Sequence, residues 1–332
     1  MELKNYLLEN EYLKLEVLNV GCAIHRLWVK DASGQFRDVV LGYESMEDYL
    51  KNSNTYFGVV VGRNANRIAH AQVEIEGKNY QLEANEGENT LHSGLHGFHE
   101  RIWQVEKQSP TAITFVLHSP HLDQGFPGNL DMKVTYQLNE NQLTITYEGE
   151  SDATTIFNPT NHAYFNLNGH KSGDIEGHQL QISAQTITPI MKDTLIPTGE
   201  FMPVIATPFD FNQRKTVKQA LGQTHEQLTF AGGIDHNFVL DQSAIIRLLG
   251  DESGIELSVC TDLPGVQVYT GNFIENESGK DDIIYQKHAG ICLETQFFPD
   301  TPHNAQFPTS LIAAHTPTKH WTSYTFTNQK NS

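Results

Sequence analysis

The sequence predicts an all-β protein, a large and mostly antiparallel β-sandwich, and three observations lead to that prediction. Apolar and polar residues alternate with a period of two over many short stretches, which is the pattern of half-buried strands. Short polar turns join several of these stretches into hairpins. Helical periodicity is scarce, and in a chain of 332 residues an antiparallel sheet system must stack into layers to bury its inner faces.

The predicted strands are spread along the whole chain. One hairpin runs over 73–76 and 79–82 with Gly77 and Lys78 in its turn, and a second joins 134–138 to 143–147 across 139–141. Further strands are predicted at 12–18, 114–117, 180–183, 238–240, 255–259, 266–269, 291–296 and 323–327. The best helical stretches, 45–51 and 217–221, are too short to carry a series of crossover connections. No linker or repeat interrupts the pattern, so we expect one domain over residues 1–332.

Charge and cysteine content limit the classes of partner and compartment. The 22 Lys plus Arg stand against 40 Asp plus Glu, and the net charge of −18 argues against nucleic acid and anionic membranes as partners. No stretch has the apolar length of a signal peptide or a membrane span. Cys22, Cys260 and Cys292 form neither a disulfide framework nor a zinc motif. We therefore expect a soluble, cytoplasmic protein, either a monomer or a homodimer.

Two predicted strands carry polar side chains on one face. In 161–167, Asn161, His162, Tyr164 and Asn166 lie opposite three apolar residues, and such side chains suit the recognition of hydroxyl groups. In 291–296, Glu294 and Gln296 lie together on one face. An exposed strand face would produce either pattern equally well. A cluster of three prolines (299, 302 and 308) then predicts a rigid loop that could close over a site.

Other polar residues are ambiguous when each is considered alone. Asp235 follows a glycine-containing turn, where an ordinary Asx turn is common, and the run GRNANRI at 62–68 is either a binding loop or a solvated one. His92, His96 and His99 have a spacing that suits one helical face, but Gly94 and Gly97 interrupt a helix there. We therefore expect no metal ion. Neither a dinucleotide-binding fingerprint nor a GxSxG elbow is present.

Taken together, the motifs resemble those of the aldose 1-epimerase (galactose mutarotase) family. The matching stretches cover almost the whole chain in order, from GCAIHRLWVKDASGQFRDVVLGYE through GRNANRIAHAQVEIEGKNYQL, NTLHSGLHGFHERIW, FPGNLDMKVTYQL, NPTNHAYFNLNGH, ITPIMKDTLIPTGE, TPFDF, GGIDHNFVL and PGVQVYTGNF to ICLETQFFPDTPHNAQFPTS. The resemblance implies a single β-sandwich domain with a sugar-binding cleft on a concave face. It also implies that the protein needs no metal or organic cofactor.

The resemblance further implies roles for individual residues. It makes His162 and Glu294 the catalytic pair, and it assigns sugar binding to Asn66, Arg67, His92, Tyr164, Asp235 and Gln267. Three residues depart from the family pattern, and we expect them at the rim of the cleft, where they would affect substrate preference: Phe297, His96 and His99.

The chemistry of anomer exchange agrees with these residue types. The anomeric hydroxyl must lose a proton and the ring oxygen must gain one, so one base and one acid suffice. A carboxylate and an imidazolium are both accessible near neutral pH, which suggests Glu294 as the base and His162 as the acid. We expect the anions of Glu294 and Asp235 to keep His162 charged above its usual pKa. The remaining cleft residues would only hold the other hydroxyls in place.

Three other functions remain possible from the sequence. A glycosidase could use Asp235 and Glu294 if their carboxyl groups were suitably spaced. A noncatalytic carbohydrate-binding protein would keep the sugar-binding residues but would not need both His162 and Glu294. A sugar-phosphate epimerase would need an additional basic cluster in the cleft, which Arg63 and Arg101 could supply.

Overall fold

Antiparallel strands make up most of the computed structural model, which describes residues 2–51, 55–241 and 243–328. The strands in the first half of the chain are β1 (Asn5–Glu9), β2 (Leu13–Leu18), β3 (Ile24–Lys30), β4 (Phe36–Asp38), β5 (Val60–Val61), β6 (Arg67–Ile68), β7 (Gln72–Ile75), β8 (Lys78–Gln81), β9 (Thr90–Leu91), β10 (Gln104–Gln108), β11 (Ala112–Ser119), β12 (Leu130–Asn139), β13 (Gln142–Ser151), β14 (Thr155–Ile156), β15 (Thr160–Asn161) and β16 (Tyr164–Phe165). Those in the second half are β17 (Gln179–Ile182), β18 (Thr186–Thr188), β19 (Met202–Pro203), β20 (Lys215–Thr216), β21 (Asp235–Val239), β22 (Ile246–Leu249), β23 (Ile255–Thr261), β24 (Gly265–Tyr269), β25 (Glu277–Ser278), β26 (Ile284–Tyr285), β27 (Ile291–Gln296), β28 (Leu311–Ile312) and β29 (Thr318–Asn328).

Helices are few and short among the described residues. The α-helices are α1 (Val217–Leu221) and α2 (Glu226–Ala231), and the 3₁₀ helices are Met46–Leu50, Ala69–Ala71, Phe98–Glu100, Lys280–Asp282 and Thr301–His303. A reciprocal capping box between Thr216 and Gln219 begins α1. No helix within the described ranges is long and apolar enough to cross a membrane.

Two large sheets form the sandwich. The larger has nine strands in the order β10-β11-β12-β13-β29-β23-β22-β17-β20, and the smaller has six in the order β16-β27-β24-β21-β18-β19. Strands β1 to β4 form a separate sheet, and the remaining pairs are β5-β15, β6-β9, β7-β8, β14-β28 and β25-β26. Every pair within the two large sheets is antiparallel. The predicted all-β, mostly antiparallel sandwich is therefore confirmed.

One hydrophobic core lies between the two large sheets. Phe238, Val268 and Leu293 of the smaller sheet belong to the same buried cluster as Tyr147 and Leu257 of the larger sheet. Because side chains alternate along a strand, the residues between these apolar ones point to the other face of the smaller sheet. That second face carries polar groups, and it forms the floor of the cleft described below.

Most predicted elements are confirmed, with small differences at their ends. Strand β27 and helix α1 have the predicted bounds, whereas the helix predicted at 45–51 is a 3₁₀ helix over Met46–Leu50. In the first hairpin the turn lies one residue earlier than predicted, because Glu76 (φ 53°) and Gly77 (φ 74°) adopt the left-handed conformation that closes a tight hairpin. Residues 161–167 do not form one strand. They are divided between β15, which pairs with β5, and β16, which pairs with β27.

Candidate active site

A cleft of about 360 Å³ opens on the polar face of the six-stranded sheet. It is lined by Tyr56, Asn66, Arg67, Asn85, Glu86, Leu91, His92, Leu95, His162, Tyr164, Leu195, Asp235, Tyr269, Phe273 and Glu294. Seven of the eight predicted site residues are in this set. The eighth, Gln267, is buried behind Asp235, to which its Nε2 donates a hydrogen bond of 2.6 Å.

Strand register explains why residues far apart in sequence meet on the cleft floor. Gln267 of β24 lies directly opposite Glu294 of β27, and Tyr269 of β24 lies opposite Asp235 of β21. At the sheet edge, Tyr164 of β16 pairs with Cys292 of β27. Period-two alternation therefore places these side chains on the same face.

Glu294 and His162 form a buried pair at the base of the cleft. The Nε2 atom of His162 is 3.6 Å from Oε1 of Glu294, and the two side chains are 6% and 3% exposed. Burial and the nearby charge of Asp235 raise the pKa of Glu294 well above its usual value, although Arg67 acts in the opposite direction. Burial lowers the pKa of His162 to about 3. The expectation that His162 is charged above its usual pKa is therefore wrong for the free protein, because sequence motifs do not reveal the cost of desolvation.

Aromatic rings and a thiol fix the orientation of the His162 ring. Tyr56 and Tyr164 stack on it, with ring centroids at 5.6 and 5.1 Å. The sulfur of Cys292 lies 3.6 Å from its Nδ1 and also contacts the hydroxyl of Tyr164. Since burial raises the pKa of Cys292, this residue is a neutral thiol, and its sulfur can accept a hydrogen bond from the Nδ1–H of His162. The Nε2 atom then remains free to exchange a proton within the cleft.

A backbone contact determines the tautomer of His92. The backbone N–H of Asn66 donates to Nδ1 of His92 at 3.1 Å, and the N–H of His92 donates in return to the carbonyl of Asn66. Burial lowers the pKa of His92 well below its usual value, so the ring is neutral. A neutral ring that accepts at Nδ1 carries its proton on Nε2. His92 can thus offer the cleft a fixed N–H donor, which suits a sugar oxygen.

Arg67 lies between two acidic residues of the cleft, Glu86 and Asp235, and contacts both. Its Nε and Nη2 atoms donate to the two oxygens of Glu86, both at 2.7 Å, and its Nη1 lies 3.9 Å from Oδ2 of Asp235. Burial raises the pKa of Asp235, while Arg67 and the hydrogen bond from Gln267 oppose that shift. Arg67 and Asp235 therefore form a polar wall with both donors and acceptors for hydroxyl groups.

The three residues that depart from the family pattern do not line the cleft. His96 is exposed and contacts Glu100, His99 is buried against the ring of Tyr56, and Phe297 packs on His320. The expectation that they form the rim is wrong: the loop that contains His96 and His99 directs Leu95 into the cleft instead, and Phe297 packs on His320.

The potential metal ligands also differ from the predicted histidine series. Among the described residues, the set with ligand atoms within 4.8 Å of one another is His92, His162 and Glu294. Metal binding at Nε2 of His92 would require this atom to lose its proton, and the proton would then lie on Nδ1, facing the Asn66 N–H. The donor set therefore fits a metal poorly.

Several cleft residues were missed by the sequence analysis. Tyr269 could have been found, because it follows Gln267 by two residues and so shares its face. Glu86, Tyr56 and Phe273 lie in loops, where no periodic pattern marks a side chain as part of a site.

Comparison with known proteins gives consistent matches over nearly the whole chain. The model of the family described as aldose 1-epimerase matches residues 4–325. A galactose mutarotase from Mus musculus is 42% identical over 314 residues, covering 93% of this chain and 90% of that protein. An aldose 1-epimerase from Haemophilus influenzae is 38% identical over 276 residues, covering 82% of this chain and 79% of that protein. Among solved structures, an aldose epimerase homologue from C. elegans aligns with a TM-score of 0.92 at 29% identity, covering 98% of this chain and 99% of the other.

Proposed function

The chain belongs to the aldose 1-epimerase family, and from that premise we propose that Glu294 and His162 carry out anomer exchange in the cleft. The protein is an isomerase that interconverts the α and β anomers of free aldoses such as galactose and glucose. The observation that carries the residue assignment is the buried contact of 3.6 Å between His162 Nε2 and Glu294 Oε1 at the cleft floor. A base and an acid are thereby held side by side, where the two oxygens on the anomeric carbon can reach them.

The reaction needs only two proton transfers in each direction. The Glu294 carboxylate removes the proton of the anomeric hydroxyl while the His162 imidazolium protonates the ring oxygen, and the bond between the anomeric carbon and the ring oxygen breaks. The resulting aldehyde rotates about its bond to the next carbon. Ring closure on the other face returns both protons, so neither residue is changed at the end of the cycle.

For the reaction, Glu294 and His162 must together hold one proton more than a carboxylate and a neutral imidazole do. In the free protein, burial favours a protonated Glu294 and a neutral His162, which is the same proton count as a carboxylate beside an imidazolium. Sugar hydroxyls that donate to Glu294 favour the charged arrangement. Activity should therefore fall when the pair gains a second proton in acid or loses its proton in alkali, and both apparent pKa values belong to the pair.

Binding of the remaining hydroxyls is assigned to the cleft walls. Arg67 and the Nε2–H of His92 supply donors, Asp235 supplies acceptors, and Asn66 and Tyr164 complete the contacts. Gln267 acts on the sugar through Asp235, to which it is hydrogen-bonded. This division leaves positioning to the walls and proton transfer to the floor.

The charge of the cleft favours a free sugar over a sugar phosphate. Among the described residues that line it, Arg67 is the single arginine or lysine, and its guanidinium is occupied by Glu86. Arg63 is bound to backbone carbonyls elsewhere, and Arg101 pairs with Asp123. A phosphate would instead meet three nearby carboxyl groups.

Polarimetry on freshly dissolved α-D-glucose and α-D-galactose tests the function directly. We expect the protein to accelerate the approach to the equilibrium rotation of both sugars. Aryl glycosides should remain intact, because mutarotation requires a free anomeric hydroxyl. Release of nitrophenol from such a glycoside would support the glycosidase alternative, and sugar binding without acceleration would support a noncatalytic binding protein.

We also propose that residues 1–332 form one domain, as the core shared by both large sheets suggests. The three free cysteines fit a cytoplasmic location. Light scattering after size-exclusion chromatography would decide between a monomer and a homodimer, the two states that we propose. The charge of −18 supports the absence of a nucleic-acid partner.

A further inference from the structure

A row of buried polar side chains crosses four strands of the cleft floor. Thr188, Asn237, Gln267 and Glu294 lie opposite one another in the register of β18, β21, β24 and β27. Gln296 follows Glu294 by two residues on β27 and therefore points to the same face. All five are at most 3% exposed, so bulk water does not reach them.

Many atoms in this row have no protein partner among the described residues. They are Thr188 Oγ1, both amide atoms of Asn237, Gln267 Oε1, Glu294 Oε2 and both amide atoms of Gln296. Buried polar groups are almost always hydrogen-bonded, either to protein or to ordered water. Two complete carboxamides beside a catalytic carboxyl group are therefore the feature of the sheet that most needs an explanation.

A glycine makes room between the two carboxamides. Gly265 of β24 lies directly opposite Gln296. A Cβ atom at this position would collide with Oδ1 of Asn237 and would lie 3.0 Å from the ring of Phe298. The Asn237 amide thus occupies the space above Gly265, on the side from which Gln296 projects.

The unpaired atoms next to Glu294 require a hydrogen-bond donor. Gln267 Oε1 and Glu294 Oε2 belong to directly opposed residues, and both are acceptors when Glu294 is the carboxylate that the reaction requires, so in that form they cannot satisfy each other. A water molecule can donate to both oxygens and accept from the carboxamide nitrogens of Asn237 and Gln296. These are the two to four polar partners that an internal water needs.

We propose that Asn237 and Gln296 hold ordered water against Oε2 of Glu294, the oxygen that does not face His162, and so act as positioning residues for the base. The proposal rests on the role proposed above for Glu294. Oε1 of Glu294 faces His162, whereas Oε2 is the oxygen with the unsatisfied acceptor sites. Donors on the far oxygen stabilise the carboxylate without blocking the oxygen that meets the sugar.

The ionisation of Glu294 depends on every group that surrounds it. These groups are His162, Asp235, Arg67, Tyr164, Tyr269, Cys292 and Tyr324. Asp235 disfavours the carboxylate and Arg67 favours it. The tyrosines and Cys292 are neutral, because burial raises the pKa of each. Water donors on Oε2 would add a second stabilising contribution to that of Arg67.

The test replaces Gln296 with methionine, which has a similar length but no hydrogen-bonding amide. Titration of the protein labelled with ¹³C-carboxyl glutamate follows the ionisation of Glu294, whose signal is identified by its loss in Glu294→Gln. We expect Gln296→Met to raise the ionisation midpoint by about one pH unit and to lower kcat at pH 7 by about tenfold, with little change in KM. The matched control is Thr295→Val on the opposite face of the same strand, where Thr295 contacts Thr322, and it should leave the midpoint unchanged.

Each outcome has a distinct meaning. A folded Gln296→Met protein with an unchanged midpoint and kcat would overturn the proposal. If that variant does not fold, Asn237→Leu provides the same measurements, and a high-resolution crystal structure of the unaltered protein should contain water bonded to Gln296. Direct bonding of the two carboxamides to each other, without that water, would also overturn it. If Glu294→Gln keeps its turnover, the proposed role of Glu294 as the base fails, whereas an inactive Glu294→Gln beside an unaffected Gln296→Met defeats the water site alone.

Discussion

Arg63 and the cleft floor are both buried and polar, but their hydrogen bonding is opposite in kind. The guanidinium of Arg63, 1% exposed, donates to the carbonyls of Ser119, Pro120, Pro127 and Gly128 and to the hydroxyls of Ser119 and Thr155. On the cleft floor, Glu294, Gln296, Asn237 and Gln267 each keep at least one atom without a protein partner. Paired polar groups such as the Arg63 guanidinium hold loops together, whereas the unpaired polar groups of the cleft floor can bind substrate or ordered water.

The buried ammonium of Lys280 follows the pattern of Arg63. It donates to Oδ2 of Asp38 and to the carbonyls of His25 and Val40, at 2.6 to 2.8 Å. This contact joins the loop around 280 to the N-terminal sheet. Burial of a charge alone therefore does not identify a functional residue, and the state of its hydrogen bonds is the more informative property.

The largest expected effect is the loss of kcat when Glu294 or His162 is replaced on the cleft floor. Glu294→Gln keeps the shape but removes the base, so we expect kcat to fall about 10³-fold while sugar still binds. Because burial disfavours the carboxylate, the melting temperature should stay the same or rise. His162→Asn should behave similarly, and the double variant should be little worse than the poorer single variant, since the two residues act as a unit. Near-normal turnover in either single variant would remove that residue from the mechanism.

Arg63→Met should lower the stability of the protein and leave its turnover unchanged, which is the reverse of the result expected for Glu294→Gln. The substitution leaves four carbonyls and two hydroxyls without their donor, so we expect the free energy of unfolding to fall by about 3 kcal/mol. The turnover of the molecules that remain folded should be unchanged. Urea denaturation measures the stability, with Arg37→Met as the control, since the half-exposed Arg37 should contribute less than about 1 kcal/mol. Equal losses in the two variants would contradict the structural role of Arg63.

Arg67 lies only four residues from Arg63 but belongs to the cleft. Arg67→Met removes a donor from the sugar and the charge that favours ionisation of Glu294, so we expect kcat/KM to fall about 10²-fold. Glu86→Gln is the companion variant. This substitution weakens the two hydrogen bonds from Arg67 to residue 86 that orient the guanidinium, but it keeps the guanidinium, so the loss of kcat/KM should be smaller. Steady-state polarimetry on galactose checks both variants, and a greater loss in Glu86→Gln would require a direct role for Glu86.

The two arginines also indicate how much of the fold and of the site is predictable from the sequence. Period-two alternation predicts the strands, and the motifs that contain Glu294, His162, Arg67 and Asp235 suffice to assign these four residues to one cleft. The run GRNANRI does not distinguish Arg63 from Arg67, because the side chains that hydrogen-bond to them are 19 to 92 residues away. For the same reason the sequence does not reveal Glu86 as a cleft residue or the effect of burial on His162. Long-range packing, rather than local pattern, determines each of these properties.

Buried neutral histidines, both in the core and in the cleft, should lower the stability of the fold in acid. Burial lowers the pKa of the core residue His236, as of His162, to about 3. Between pH 6.5 and 5 the unfolded chain therefore binds protons that the native state does not, and stability falls as pH falls. His236→Gln should remove about 2 kcal/mol of this dependence over that interval. Urea midpoints at several pH values measure it, and the exposed His96→Gln should leave the dependence unchanged. A wild-type stability that is flat with pH would contradict the buried neutral state.

The smallest expected effect is that of a chelator, which should not alter the mutarotation rate. His92, His162 and Glu294 lie close enough together to resemble a metal site. The Asn66 N–H nevertheless occupies Nδ1 of His92 and keeps the proton on Nε2, the atom that faces the cleft. A ring fixed in this way favours a sugar oxygen over a cation. Dialysis against EDTA followed by polarimetry is the measurement, with dialysis against buffer alone as the control. Loss of activity that zinc restores, and that magnesium does not, would mean that the unpaired atoms of the cleft floor serve a metal, and His92 would then have to adopt the other tautomer.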